Sequence, residues 1–441
     1  MSAAKPPRDA NSAPSGAAQR RSRKRGGIIQ SPDAELARWI DAHHAAQIEF
    51  LREIVRVPSD TPPGDNAPAA EKAAELLAAL DFRVERHPVP EELLRGYGMR
   101  SVTNLIVRER FGPGGPTIAL NAHGDVVPPG EGWSKPPYGG EIANGRMYGR
   151  GVAVSKSDIA TYTYALAALR ALARGGAPLH GAVELHFTYD EEFGGLAGPG
   201  WLLDHGLTRP DFAIAASFSY AVVTAHNGCL QLEVTLHGKS GHGAMPETGR
   251  DAFRAGAAVL DAIYAEADAL RSRKSKVRGI DHPTMIVGRM EGGINTNVVP
   301  DRLMLRIDRR MTPEEDPAVV EARVRELIEG AAQAHDGIRV EIRRLLLARA
   351  LEPSPGQERL VDAIRKHARR VFGEDIPAVG VPLYADARLY GEHGVPIVMY
   401  GAGPRTIAES NAKRPDENLL LEDLRRATHV VACAVHDLLR A

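Results

Sequence analysis

The chain has 441 residues, of which 43% are hydrophobic and 25% are charged, with a formal net charge of −1 at pH 7. This length allows two folded cores, and the balanced charge excludes a global attraction to nucleic acid or to an anionic membrane. Its two cysteines, Cys229 and Cys433, are too few for a disulfide framework or a cysteine-based zinc site. No apolar run approaches the roughly 18 residues that a membrane helix needs. We therefore expect a cytoplasmic protein without nucleic-acid or membrane partners.

The first 32 residues differ in composition from the rest of the chain. They are rich in Ala, Ser, Pro and Gly, and they carry the basic cluster Arg20, Arg21, Arg23, Lys24 and Arg25. The arginine pair suits a twin-arginine signal, but no apolar segment follows it. The composition predicts a disordered basic arm over 1–32, with a nucleic-acid tether as the weaker alternative.

Strands and helices alternate in the next part of the chain. The spacing of apolar residues predicts a helix from Asp33, its N-cap, to about Val57. Further helices are predicted near 68–80, 157–173 and 199–205, and strands near 104–107, 117–122, 182–188 and 211–215. This order predicts a mostly parallel sheet flanked by helices. Functional groups gather at the carboxyl ends of such strands, where the sequence places His123, Asp125, Glu191 and Glu192.

The pattern changes after Gly228. Strands near 231–237, 284–288, 302–308 and 338–345, and helices near 250–273 and 317–334, follow in the order β-α-β-β-α-β. This is a ferredoxin-like α+β arrangement. Helices near 358–372 and 421–439 then resume the first pattern. We predict an α/β domain formed by 33–228 and 347–441, with a ferredoxin-like domain inserted at 229–346.

The segment that begins Asn121-Ala122-His123-Gly124-Asp125 continues to Gly132-Trp133 and Gly149-Arg150-Gly151. His123 and Asp125, two apart on a strand, point to the same face. The whole segment resembles the M20 family of metallopeptidases and amidohydrolases, which includes carboxypeptidase G and the succinyl-diaminopimelate and acetylornithine deacylases. The resemblance implies the zinc-exopeptidase fold, with His123 as a zinc ligand and Asp125 orienting it.

Tyr189-Asp190-Glu191-Glu192-Phe193-Gly194-Gly195 resembles the paired-glutamate turn of the same family. The resemblance implies that Glu191 is the general base and Glu192 a metal ligand. Neighbouring carboxylates can take two roles only if their surroundings separate their pKa values. A solvated acidic loop is the alternative interpretation.

The inserted domain carries further matches. Gly238–Pro246 resembles a lid motif whose histidine, here His242, reaches across a dimer interface to the scissile carbonyl. Asn297 and Arg310 match positions that hold the substrate carboxylate, a task suited to the planar fork of Arg. The resemblance implies a small substrate with a carboxylate and a homodimer formed through the inserted domain.

The metal ligands depart from the family pattern. The family holds two zinc ions with five side chains, and three of the expected positions carry Val154, Ser217 and Lys413, or Ala412 with a one-residue offset. The two remaining ligands, His123 and Glu192, would belong to different metals, whereas catalytic zinc sites use three protein ligands. Zinc or another divalent metal is implied by resemblance but is doubtful in this chain. Asp158, His186 and His226 are considered as replacement ligands, and Lys413 as a replacement charge.

Two functions follow from these observations. The first is an M20-like hydrolase that cleaves the amide bond of a small N-acyl amino acid or dipeptide-like substrate, with a reduced or absent metal requirement. The alternatives are a non-catalytic ligand-binding protein and a metal-independent enzyme that is not a hydrolase.

Overall fold

The computed structural model describes residues 31–440. Its helices are α1 (Pro32–Val55), α2 (Ala67–Ala79), α3 (Glu91–Tyr97), α4 (Lys156–Arg174), α5 (Trp201–Asp204), α6 (Ala252–Leu270), α7 (Pro317–Gln333), α8 (Gln357–Phe372), α9 (Ala387–Glu392), α10 (Ile407–Ser410) and α11 (Leu421–Arg440). In this described part, none of these helices combines the length and apolar character that crossing a membrane requires.

The strands are β1 (Val84–Pro88), β2 (Thr103–Gly112), β3 (Thr117–His123), β4 (Glu141–Ala143), β5 (Arg146–Tyr148), β6 (Gly181–Thr188), β7 (Phe212–Ala215), β8 (Val222–His226), β9 (Gly228–His237), β10 (Gly241–His242), β11 (Thr284–Gly292), β12 (Val298–Val299), β13 (Arg302–Met311), β14 (Arg339–Ala348), β15 (Ala378–Val381), β16 (Ile397–Met399) and β17 (Asn418–Leu420).

The large sheet has eight strands in the order β1-β2-β6-β3-β7-β16-β8-β15. Strands β6, β3, β7 and β16 run parallel, and β2 is antiparallel to β6 at one side. Every residue of β6 is buried, as expected for a strand covered by helices on both faces. The predicted mostly parallel α/β sheet is confirmed.

Helices α1, α4, α8 and α11 pack against one another and form one large core with the sheet. Helix α1 begins at Pro32 because the Ser31 side chain accepts a hydrogen bond from the Ala34 N–H at 3.3 Å. The prediction that Asp33 caps this helix is therefore wrong; Asp33 lies in the first turn and pairs with Arg370. The predicted arm, 1–32, overlaps the helix start, and its residues 1–30 lie outside the described part.

The small sheet is antiparallel, with strand order β11-β13-β9-β14. Helices α6 and α7 contact each other and pack on this sheet, which has an apolar core of its own. The order of the strands is that of the predicted ferredoxin-like arrangement. Strand β9 begins at Gly228 and β14 ends at Ala348. The limits 229–346 of the inserted domain lie within two residues of these strand ends and stay a prediction.

Candidate active site

His123 is the last residue of β3, at the carboxyl end of the parallel strands. Its backbone N–H donates to the Ser155 hydroxyl at 3.0 Å, and that hydroxyl donates to the His123 carbonyl oxygen at 2.9 Å. The ring Nδ1 lies 3.0 Å from the backbone oxygen of Asp125 and 3.4 Å from its Oδ1. The ring Nε2 lies 3.9 Å from Oε2 of Glu191. The histidine is therefore fixed in orientation and directed toward a carboxylate.

The Asp125 carboxylate also holds the paired-glutamate turn. Its Oδ1 accepts the backbone N–H of Glu191 at 3.2 Å, and its Oδ2 accepts that of Glu192 at 3.0 Å. Asp125 is fully buried, so these charge-assisted bonds are shielded from water. The resemblance implies only that Asp125 orients His123; the structure adds this second contact, which joins two distant segments of the chain.

The charges in the cleft shift the pKa values of His123 and Glu192. Burial alone would lower the pKa of His123, but the Glu191 charge and the hydrogen bond to Asp125 raise it to about 10. Burial raises the pKa of Glu192 to about 7, with a further contribution from Glu191 and an opposing one from Lys413. The Glu191 charge therefore destabilises the charge of Glu192, and the neighbouring cations, Lys413 and His123, counteract this effect.

Lys413 supplies one of these cations. Its Nζ donates to Oε2 of Glu192 at 2.7 Å, with the Glu192 side chain 8% exposed and the Lys413 side chain 51% exposed. The loop that carries Lys413 is anchored by Glu417, whose carboxylate pairs with Arg150 at 2.6 Å. Both members of this second pair are almost completely buried. The ammonium is therefore held beside the glutamate that the resemblance implies is a metal ligand.

The three departing positions, Val154, Ser217 and Lys413, line one cavity together with His123. An aliphatic group, a hydroxyl and an ammonium there do not replace carboxylate and imidazole ligands. Asp158 also lines this cavity, but its Oδ1 accepts the backbone N–H of Ala402 at 2.6 Å. Burial, the main influence, raises the pKa of Asp158 to about 7. The side chains at these three positions are therefore not the ligand types that the resemblance implies for a two-metal site.

A different group of side chains meets the geometric requirement for a metal. The requirement is that ligand atoms from three His, Cys, Asp or Glu side chains lie within 4.8 Å of one another. Within residues 31–440, only Asp33, His367 and Cys433 meet it. This cluster lies on α1, α8 and α11, away from the cleft. The Arg370 guanidinium already pairs with Asp33 and donates to Cys433 Sγ at 3.3 Å. A cation of the protein therefore already balances the charge there.

The candidate substrate-binding residues fall into two groups. Arg310 lines the cavity with Glu191, lies over the Tyr384 ring, and donates to Asp308 at 2.7 Å. His242 ends β10 and Asn297 directly precedes β12, the strand paired with β10; beside them, Gly243 N–H donates to the Asn297 carbonyl oxygen at 2.8 Å. Both are exposed and neither lines the cavity of its own chain.

Sequence reasoning missed Tyr384 and Asp386, which follow β15 and line the cavity. Asp386 is 4% exposed, and neither of its oxygens has a hydrogen-bond partner within the described residues. No local pattern marks it, because its position depends on how two distant segments meet. Of the two considered histidines, His226 lines the cavity, whereas His186 is bonded to Tyr390 and Glu184 in the interior.

Together these features define a class of fold: a mostly parallel α/β sheet flanked by helices, with a polar cleft at the carboxyl ends of the parallel strands. The model of "Peptidase family M20/M25/M40" matches residues 119–437, and the chain belongs to this family. The predicted family and the predicted amidohydrolase or peptidase class are thereby confirmed.

Similar proteins include two called succinyl-diaminopimelate desuccinylase. The one from Rhodospirillum centenum is 27% identical over 87% of this chain and 95% of its own length. The one from Gluconobacter oxydans is 28% identical over 66% of this chain and 74% of its own.

Solved structures share the fold. Human carnosine dipeptidase 1 matches with a TM-score of 0.73 and 17% identity, over 93% of this chain and 100% of its own. The Bacillus subtilis YXEP protein, described as a dinuclear metal binding peptidase, matches with a TM-score of 0.61 and 18% identity, over 90% of this chain and 99% of its own.

Proposed function

We propose that this protein hydrolyses the amide bond of a small N-acyl amino acid or dipeptide-like substrate that bears a free carboxylate. The observation that carries the proposal is that Glu191, beside His123, and Arg310, from the small sheet, line the same cavity. A carboxylate base and a guanidinium are thus positioned to act on the two ends of one small molecule. The names of the relatives, desuccinylase and dipeptidase, support the same class of substrate.

The chemistry follows from these groups. The Glu191 carboxylate takes a proton from a water molecule as the water oxygen bonds to the amide carbonyl carbon. The C–N bond then breaks, and Glu191 returns the proton to the leaving amine. Arg310 holds the substrate carboxylate with the assistance of Asn297. His242 from a second copy polarises the scissile carbonyl.

A screen of N-acyl amino acids and dipeptides with purified protein tests this function, with the Glu191→Gln variant as control. We expect release of free amino acid by the wild type and a loss of at least a hundredfold in the variant. Binding of these compounds without any turnover would instead support the alternative, a ligand-binding protein. The observation that favours that alternative is the Lys413–Glu192 ion pair, because it engages the glutamate that the resemblance implies is a metal ligand.

We further propose that the reaction has a reduced or absent metal requirement, with Lys413 providing positive charge beside Glu192. Full activity in chelator, together with loss of activity in Lys413→Ala, is the expected result. Lys413→Arg keeps the charge and is the matched control. Loss of wild-type activity on metal removal, restored by zinc, would contradict this proposal.

A variant that restores the family's ligand types gives a test independent of activity. The triple substitution Val154→Asp, Ser217→Glu and Lys413→His adds three ligands to His123 and Glu192. Elemental analysis should find about two zinc ions per triple-variant chain and less than about one per wild-type chain. Equal, stoichiometric zinc in both proteins would overturn the proposed departure from the metal site.

We also propose a cytoplasmic homodimer that forms through the small sheet. Its edge strand β11 exposes Ile286 and Met290, and the following loop exposes Ile294, which is 77% exposed. An unpaired edge with apolar side chains is a surface that a second copy can cover. The two buried free cysteines are compatible with a reducing compartment.

A further inference from the structure

One part of the cavity that the polar residues of the cleft line is walled by apolar side chains. The whole cavity has a volume of about 300 Å³. The wall is formed by segments before α4, after β7, at β16 and around α10, with the side chains of Val154, Ala216, Phe218, Met399, Ile407 and Ala412. Two of these, Val154 and Ala412, lie at or beside positions where the family pattern expects metal ligands. Around Val154 and Ala412, the wall is therefore apolar where the resemblance implies polar ligands.

The charges that line the same cavity do not favour a second anion beyond the substrate carboxylate that the proposed function assigns to Arg310. The other two cationic groups are already paired: Lys413 bonds to Glu192 at 2.7 Å, and His123 lies 3.4 Å from Asp125 and 3.9 Å from Glu191. Two further buried carboxyl groups, Asp158 and Asp386, face the cavity in addition to Glu191. An anionic group placed deep in this space would meet carboxyl groups and no uncommitted cation within the described residues, which is unfavourable at low dielectric.

We propose that this part of the cavity binds the acyl group of the substrate and that the acyl group is uncharged and apolar, such as hexanoyl or phenylacetyl, rather than succinyl. The inference rests on the proposed amide hydrolysis and names the substrate class of that same site. The carboxylate of the amino acid part binds at Arg310, at the mouth toward the small sheet. The acyl chain then extends past Glu191 toward Val154 and Ile407.

Binding measurements with the Glu191→Gln variant separate this proposal from the question of turnover. Calorimetric titration with N-acetyl-, N-butanoyl-, N-hexanoyl- and N-succinylglycine should give about a fourfold gain in affinity for each added methylene. N-succinylglycine should bind no better than N-acetylglycine. Affinity that is flat along the series, or highest for the succinyl compound, would overturn the proposal.

Substitutions at Ile407 test the location. Ile407 is 42% exposed on α10, so its replacement should be tolerated by the fold. Ile407→Ser should weaken N-hexanoylglycine about tenfold or more and leave N-acetylglycine unchanged. Ile407→Arg should also raise the affinity for N-succinylglycine, because it adds a free cation. Leu93→Arg, on α3 at 47% exposure and outside the cavity lining, is the matched control.

The outcomes distinguish the two proposals. Chain-length-dependent binding that Ile407→Ser abolishes, combined with no hydrolysis by the wild type, would sustain the acyl site and defeat the proposed hydrolase. Hydrolysis of N-acetyl compounds without any chain-length preference would sustain the hydrolase and defeat the acyl site. Ile407 variants that bind all ligands as the wild type does would also defeat it.

Discussion

Two carboxyl groups of neighbouring segments have pKa values shifted in opposite directions. The pKa of Glu192, after β6, is raised to about 7. Burial is the main cause, the charge of Glu191 adds to it, and the charge of Lys413 opposes it. Within β6, burial would likewise raise the pKa of Glu184, but the hydrogen bond and charge of His186, with Thr208 and Arg108, lower it to about 2. Although both side chains are buried to a similar extent, the pKa of Glu192 lies near neutral pH, whereas Glu184 stays charged at neutral pH.

The Glu184 network should make stability depend on pH. Its folded-state pKa, about 2, lies below the ordinary 4.5, so the unfolded chain binds the proton first as pH falls. The contribution of Glu184 is present above about pH 4.5 and is lost toward pH 2, with an upper limit on the order of 3 kcal/mol. Urea unfolding of the wild type and Glu184→Gln should show a difference at pH 7 that shrinks by pH 3. A difference independent of pH would contradict this assignment.

At the scale of elements, the segment between α10 and β17 depends on one buried ion pair. Arg150, after β5, donates to Glu417 at 2.6 Å and to the Pro129 carbonyl oxygen at 3.0 Å. The second Glu417 oxygen accepts the Ala153 N–H at 3.1 Å, in the turn before α4. The Glu417 carboxylate also accepts the backbone N–H of Lys413 at 3.4 Å, so it joins the turn before α4 to the segment that carries Lys413.

Removing one partner of this pair should be costly. Arg150→Met leaves the Glu417 charge buried and unpaired, and should lower the free energy of unfolding by about 3–5 kcal/mol. The double variant Arg150→Met and Glu417→Leu should lose clearly less, because no buried charge is left without a partner. Denaturant unfolding of the wild type, both single variants and the double variant measures this coupling. Additive losses would show that the two residues act independently.

For the whole molecule, the main consequence concerns the second copy. His242 and Asn297 lie on the small domain, outside the cavity of their own chain, while Glu191 and Arg310 line it. If His242 acts in trans, each site of the proposed dimer combines residues from two chains.

This arrangement makes a quantitative prediction. Glu191→Gln and His242→Ala are each expected to be inactive alone. When they are unfolded together and refolded as an equal mixture, about a quarter of all sites should combine an intact Glu191 with an intact His242. Recovery of about that fraction of wild-type activity is the expected result. A mixture that stays inactive, although sedimentation shows mixed dimers, would mean that His242 does not act from the partner chain.

Local sequence patterns determined the scaffold of this protein. The alternation of strands and helices and the change of order after Gly228 predicted both sheets, because the periodicity of apolar residues reflects which face of each element is buried. The motifs around His123 and Glu191 placed both residues at strand ends, since each motif follows its strand directly. Errors such as the cap of α1 concern single residues at element ends, where local signals are weakest.

Only the tertiary structure decided what surrounds these residues. The hydrogen bond from Lys413 to Glu192 joins positions 221 residues apart, and the bond from Glu191 to Asp125 joins positions 66 apart. Asp386, whose carboxyl oxygens have no hydrogen-bond partner among residues 31–440, and the apolar wall from Val154 to Ile407 arise in the same way. Such contacts depend on how whole elements pack. The charge and shape of a cleft are set by side chains from several segments far apart in the chain, and no local sequence pattern shows which segments meet.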